Sequence, residues 1–332
     1  KIVIAVTFLL ASLAHSQTSA PVTLVVDVEN LVLYHNDVEY RALATSPTIP
    51  PFTEAKNLDY HIGIGDVIAI NGRPAKGTYI STFSQLNLRP EPVPGQAIGD
   101  VNRSNITSAF AFELLQADGT PIGTIVGSGL NGGTPPPGAP PGATLTNFAV
   151  TGGTGAFLGV RGQMGTIRGG ARGTSGLEDP LNRRAHGGGG GTPQYVLQIF
   201  PTMVPAIASD ATGPLAYHSS DFRPVTAANP AQPGELIILQ ATGLGPTKPG
   251  IVPGERFSGN PLQAVNSPVE VAVNGTRGEV VNAIGWPGTT DRYRIDVRLP
   301  AATPSGLAEL QLTAAFVPGT VVRIPVGTAR VP

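Results

Sequence analysis

The sequence predicts an all-β protein in two parts, a curved antiparallel sheet that closes on itself followed by a sandwich of two sheets. Three observations lead there. Short apolar runs alternate with polar residues at the two-residue period of a strand, and no run of ten or more residues carries a helical period with caps. Gly 43 and Pro 33 punctuate these runs at turn spacing along 332 residues. Hydrophobic residues still make up 41% of the chain, enough to build cores rather than a disordered polymer.

Composition removes several function classes. Charged residues are 13% and the formal net charge is −1. A nucleic-acid partner is not expected, because phosphate affinity comes from clustered Lys and Arg. Cysteine is absent, which excludes disulfides, thiolate metal sites and thiol redox chemistry. The chain opens KIVIAVTFLLASLAHSQTSAPV, a basic residue, an apolar run over 2–13, then small and polar residues. That layout predicts a secretory signal peptide over 1–19, with cleavage near 15–19; a buried strand or a retained anchor is the other reading. The apolar run is too short for an ordinary span, so the mature chain is expected to carry none and to be extracellular or on the cell surface.

The elements follow in order. TLVVDVENLVLY (23–34), YHIGIGDVIAIN (60–71), AFAFELLQ (109–116), PIGTIVGSGL (121–130), ATLTNFAV (143–150) and QYVLQIF (194–200) read as strands. "ADGT" at 117–120 reads as a hairpin turn, because Asp-Gly accepts the positive φ angles that match strand twist. Three inserts interrupt this half: a proline-bearing loop at 41–55, the proline-rich 131–143, and the low-complexity 168–193, expected to be mobile.

The stretch FAVTGGTGAFLGVRGQMGTI (148–167) poses the main ambiguity. A dinucleotide loop needs a preceding strand, spaced glycines, a helix directly after, and an acidic residue about twenty positions on. Only the strand is present. Gly159, Gly162, Gly165, Gly169 and Gly170 occupy the region of the required helix, each costing about 1 kcal/mol there relative to alanine. No nucleotide cofactor is expected. The alternative is two strands meeting at a tight glycine turn where a sheet curves shut. These residues resemble the signature of the allene oxide cyclase and dirigent-protein barrels, in which a Val/Ile-Thr-Gly-Gly-Thr-Gly run precedes Arg-Gly. The stretches IGDVIAING (64–72) and FAFELLQADGTPIGTIVG (110–127) are similar to that family as well. The resemblance covers about 20–200 and departs in the proline and polyglycine inserts. It implies an eight-stranded antiparallel barrel with an apolar small molecule in the lumen, trimeric assembly through the barrel, and in the cyclases closure of a fatty-acid epoxide.

After 200 the texture changes. The stretch 201–223 reads as a linker. In RYRIDVRL (292–299), Tyr293, Ile295, Val297 and Leu299 face one way and the charged residues the other. VEVAVNG (269–275), AELQLTAA (308–315) and VVRIPV (321–326) repeat the pattern, so 224–332 reads as an immunoglobulin-like β-sandwich. This part resembles the immunoglobulin-like C-terminal domain of bacterial secreted proteins, on NPAQPGELIILQATGLGP (229–246), SPVEVAVNGTRGEVVNAI (267–284) and DRYRIDVRLPAATPSGLAELQLTAA (291–315). It implies an attachment module with an extracellular partner.

Candidate site residues follow from strand position. Glu113, among small apolar residues in AFAFELLQ, reads either as a lumenal acid with a raised pKa or as a solvent-facing carboxylate. Arg161 reads either as the group that orients a lumenal carboxylate or as a structural contact closing the barrel. Asp27 and Glu29 share one face of the first strand, and Tyr34 and Tyr79 offer hydroxyls from strands or simple packing; these four are the ligand-binding candidates. His35 and His61 flank a long loop, with nothing close in sequence to complete a metal site, so none is expected. His186 beside Arg183 and Arg184 reads as a solvated loop or an anion contact. Asn102, Asn105 and Asn274 begin glycosylation triplets. Three functions remain: a binder of a small apolar ligand, an isomerase or cyclase using Glu113 and Arg161, and a structural surface or matrix protein. A lumen filled by Phe110, Phe112 and Phe148 would favour the last.

Overall fold

Nine strands of the first half form one sheet in the computed structural model, which describes residues 20–35, 59–87, 103–131, 137–138, 144–175 and 190–327. They are β1 (Val22–His35), β2 (Asp59–Ile70), β3 (Arg73–Asn87), β4 (Arg103–Gln116), β5 (Pro121–Asn131), β6 (Thr144–Gly155), β7 (Arg161–Arg168), β8 (Arg172–Ser175) and β9 (Gln194–Phe200). The path β2-β3-β4-β5-β6-β7-β9-β1 returns to β2, closing an eight-stranded antiparallel barrel; β8 lies outside it, parallel to β1. Closure rests on β1, whose first half pairs with β9 and which also pairs with β2 along most of its length. A bulge around Asn30, with φ 55, breaks the β1–β2 register and re-aims Leu31 into the core.

The stretch 148–167 is a hairpin, not a nucleotide loop. β6 runs to Gly155, residues 156–159 turn, and β7 starts at Arg161, with Val150 opposite Gly162. Among the described residues there is no helix. The two described ends of the insert 168–193 are ordered into the sheet: β8 pairs with β1, and Gly191 exchanges backbone hydrogen bonds with Leu31. The proposed signal segment, the loop 41–55, Asn102 and the group Arg183, Arg184 and His186 lie outside the described residues.

Alternation sorts each strand into an inner and an outer face. Leu24 and Val26 of β1, Phe110, Phe112 and Leu114 of β4, Met164 of β7 and Leu197 and Ile199 of β9 form the barrel core. Gly127 on β5 shows how tightly they pack: a Cβ there would stand 2.5 Å from the Phe110 ring.

Connections differ sharply between the two ends. At one end β2–β3, β4–β5 and β6–β7 join through short turns at 71–72, 117–120 and 156–160. Asn71 (φ 52) and Gly72 (φ 72) both take positive φ, as the primed hairpin turn requires. At the other end the chain leaves β1, β3, β5 and β8 into its long inserts.

Beyond β9 two more antiparallel sheets face one another over a shared core. One contains β10 (Ala206–Ile207), β13 (Ala216–His218), β14 (Leu236–Thr242), β15 (Thr247–Lys248), β16 (Ala264–Val265), β19 (Glu279–Gly285) and β20 (Tyr293–Arg298). The other contains β17 (Val269–Val273), β18 (Thr276–Arg277), β21 (Gly306–Ala314) and β22 (Val317–Val326). A two-residue hairpin, β11 (Ser209–Asp210) and β12 (Gly213–Pro214), sits between β10 and β13. Ile295, Val297 and Leu299 bury as the alternation predicts. The stretch 201–223 is more than a linker, since β10 and β13 pair with β14 and bury Ile207 and Ala216.

The short-turn end of the barrel sits on this second region. Arg73, just after the β2–β3 turn, makes a two-pronged ion pair with Glu270. The Gln116 side chain donates to the Asn266 carbonyl at 2.5 Å. Between them the tip of the β21–β22 hairpin enters the barrel: Ala315 is 3% exposed within the barrel core, and Phe316 packs against it. Both tip residues have positive φ, 49 for Ala315 and 66 for Phe316. That costs residues with a Cβ about 1–2 kcal/mol each, which the burial of the tip offsets.

Candidate functional site

The barrel interior is where a ligand or reaction centre is expected, and it is occupied by aromatic rings. Tyr79 of β3 and Tyr195 of β9 approach to 4.6 Å between ring centres, and Tyr79 and Phe112 to 4.8 Å. Phe110 meets Phe112 and Phe148 edge-on, each at 5.7 Å. Exposure is 0% for Phe112, 3% for Phe148 and 4% for Phe110, so among the described residues these rings are buried against one another inside the barrel. The Tyr79 and Tyr195 side chains are buried side by side. Burial raises the Tyr79 pKa, and burial followed by its neighbour Tyr79 raises that of Tyr195 well above the usual value. In both, burial favours the neutral phenol over the phenolate.

Towards the long-insert end the lining becomes polar. His61 of β2 stacks on Phe83 of β3 at 5.0 Å, and Phe83 stands opposite Ser108 of β4. The Ser108 hydroxyl is buried and has no partner among the described residues. His35 and His61 are cross-strand neighbours, as their flanking of one loop suggests. Among the described residues no group of three His, Cys, Asp or Glu could hold a metal.

The two residues with proposed catalytic roles point elsewhere. Glu113 is exposed on the outer face, its carboxylate accepting from the Thr78 hydroxyl at 3.3 Å. The lumenal reading of Glu113 is thereby corrected: on β4 the inner face belongs to Phe110, Phe112 and Leu114, and Glu113 falls on the other parity. Arg161 is also exposed, and its guanidinium lies on the carbonyls of Thr151 and Val160, tying β6 to β7. No hydrogen bond or ion pair joins it to Glu113 among the described contacts. Neither reading of Arg161 is matched by a pairing: no carboxylate meets it among the described contacts, and its guanidinium braces the β6–β7 hairpin rather than the β1–β2 closure.

Of the ligand-binding candidates, Tyr79 alone faces the lumen. Tyr34 is half-buried on the outer side of β1. Asp27 and Glu29 line an outer cleft of about 350 Å³ with Ile68 and Arg168. There Asp27 accepts from the Gln194 side chain at 2.7 Å and stands 3.7 Å from Arg168. The carboxylate is engaged, and the cleft belongs to the β1–β9 seam.

Tyr195, Phe83 and Ser108 complete the interior and were not singled out by sequence reasoning. The alternation of QYVLQIF does place Tyr195 on the face of Leu197 and Ile199. Phe83 lies in RPAKGTYISTFSQLN, where polar residues at both parities hide the inner face. No family model, curated protein or solved structure matches the chain.

Proposed function

We propose that the protein is a secreted structural component of a cell surface or extracellular matrix, whose packed barrel is a scaffold rather than a container. One observation carries this: the lumen is filled at the level of Phe110, Phe112, Phe148, Tyr79 and Tyr195. The neighbour it assembles with is a second copy of itself, through the outer face of β2–β5. There Ile64, Ile80, Ala111 and Val126 stand side by side in ladder register. The adjacent row, Ile62, Thr82, Ala109, Ser128 and Ala149, is equally uncharged. Ile62 and Ile80 are each 42% exposed, so the two rows make an uncharged surface, apolar apart from Thr82 and Ser128, of the kind that marks an interaction site. Such a face presents no like charges to its own copy. The immunoglobulin-like reading of 224–332, with its attachment role, belongs to the same proposal.

A small-ligand reading keeps one support, the unpartnered Ser108 hydroxyl near His61. An isomerase reading loses its acid, because Glu113 lies outside the lumen. Native mass spectrometry of the secreted protein separates these. The structural reading expects an oligomer whose subunits weigh only the polypeptide, dissociating when Ile80 is changed to Lys. A small molecule retained in stoichiometric amount, or a monomer at all concentrations, would overturn it.

A further inference from the structure

A second feature lies where the barrel meets the two-sheet region, independent of how the lumen is read. A groove of about 590 Å³ runs between β17 and β19, with Gln116 of the barrel at its rim. Its β19 wall is formed by every residue from 277 to 283 in succession. Successive residues of a strand point to opposite faces, so a wall of consecutive residues is a strand edge, with its backbone N–H and C=O groups. The pairing agrees. β19 is bonded to β20 along its length, but on its other side it is held only near its C-terminal end, by the pairing of Ile284 with Ala264 and the bond from the Gly285 N–H to the Gln263 carbonyl. Among the described residues, no partner occupies that side from Glu279 to Ala283, and the nearest link is the bond from the Gly278 N–H to the Val271 carbonyl, 2.8 Å.

Exposed edges are normally blunted by prolines, charges or bulges. Here Glu279 and the bulge at Val281 stand on the edge, but the run Val280, Val281, Asn282 and Ala283 carries no proline and no charge, and Val281 is 52% exposed. On the facing wall Ser267, 3% exposed, carries a hydroxyl with no partner. The charge at the groove's end is already balanced, since Glu270 is paired with both Arg73 and Arg277. The described lining has no aromatic ring on which a sugar would stack.

We propose that the outer edge of β19 is a docking site for an extended peptide segment of a partner protein, which adds a strand to this sheet and carries small apolar side chains at alternate positions. Backbone pairing supplies the affinity and the Val265, Val280 and Val281 walls select small side chains. The free length, five residues, matches about 17 Å of strand.

The test uses the intact secreted protein and an end-capped, fluorescein-labelled peptide of alternating threonine and valine. Expected are fast hydrogen exchange at groove-facing amides of 279–283 in the free protein, saturable peptide binding, and slowing of those amides when it binds. A peptide N-methylated along its pairing edge should bind roughly tenfold more weakly or worse, as should the unmodified peptide to Val281→Pro. Amides already protected in the free protein, absence of saturable binding, equal binding of the N-methylated peptide, or displacement by a soluble oligosaccharide would each overturn the proposal. The N-methylated control needs no variant, so misfolding of Val281→Pro leaves the test intact.

Discussion

The two ends of the barrel are built on opposite principles. The short-turn end is closed by covalent economy and by tertiary contact: three tight turns, an ion pair at Arg73 and Glu270, and a strained hairpin tip pressed into the core. The long-insert end keeps polar groups inside, with His61, Ser81 and Ser108 buried behind Phe83. One end spends conformational energy to gain packing; the other carries buried polar groups that a purely mechanical core would not select. If the molecule has chemistry inside the barrel, it belongs to the second end.

This contrast can be broken or sharpened by experiment. The largest effect is expected midway between the ends, where Phe112→Ala would leave a cavity costing about 3–5 kcal/mol, read as a lowered denaturation midpoint. Next comes the plugged end. Ala315→Asp would bury a carboxylate in the barrel floor and should destabilise by about 3 kcal/mol or more. Trp286, the sole tryptophan, reports the two-sheet region by its fluorescence, and hydrogen exchange of the amides flanking Phe112 reports the barrel. Both signals should move together in Ala315→Asp; two separate transitions in the unaltered protein would show that the tip does not couple the regions.

Alkaline titration probes the middle of the lumen. Tyr79 and Tyr195 have folded pKa values raised above the unfolded value of about 10, so their neutral forms favour folding. That contribution is complete below pH ~10 and is lost as pH rises from there through the folded values. Alkaline unfolding should therefore shift to higher pH in Tyr195→Phe, relative to its stability at neutral pH. At the polar end Ser108→Ala removes a buried hydroxyl without a partner and should stabilise by about 1 kcal/mol. A loss of stability there would mean that the hydroxyl is satisfied, and the contrast between the ends would weaken. The smallest effect is expected outside the barrel, where Glu113→Gln should stay within about 0.5 kcal/mol by denaturant titration.

Much of this was legible in the chain. Alternation in QYVLQIF and AFAFELLQ placed the strands and sorted their side chains into two faces, and the helix-hostile glycines after Thr151 argued against a nucleotide loop. Glu113 shows where sequence reasoning stops. Phe110, Phe112 and Leu114 on one parity already set Glu113 on the other, yet either parity could have faced the lumen until closure chose the aromatic side. The stretch 201–223 misled for a different reason. Its strands are two or three residues long and exist only because β14 offers an edge for them.

The sequence by itself determined the strands with clear alternation, the turns and the absence of thiol chemistry, because these follow from the period of side chains and from what glycine, proline and cysteine can do locally; β3, with polar residues at both parities, was not among them. Tertiary structure alone decided that Phe110, Phe112 and Phe148 turn into the lumen, that Arg161 ties two strands together, and that Ala315 and Phe316 complete a core more than a hundred residues upstream. Those outcomes depend on which surfaces meet after the sheet has closed, and no local pattern encodes a contact between segments so far apart in the chain.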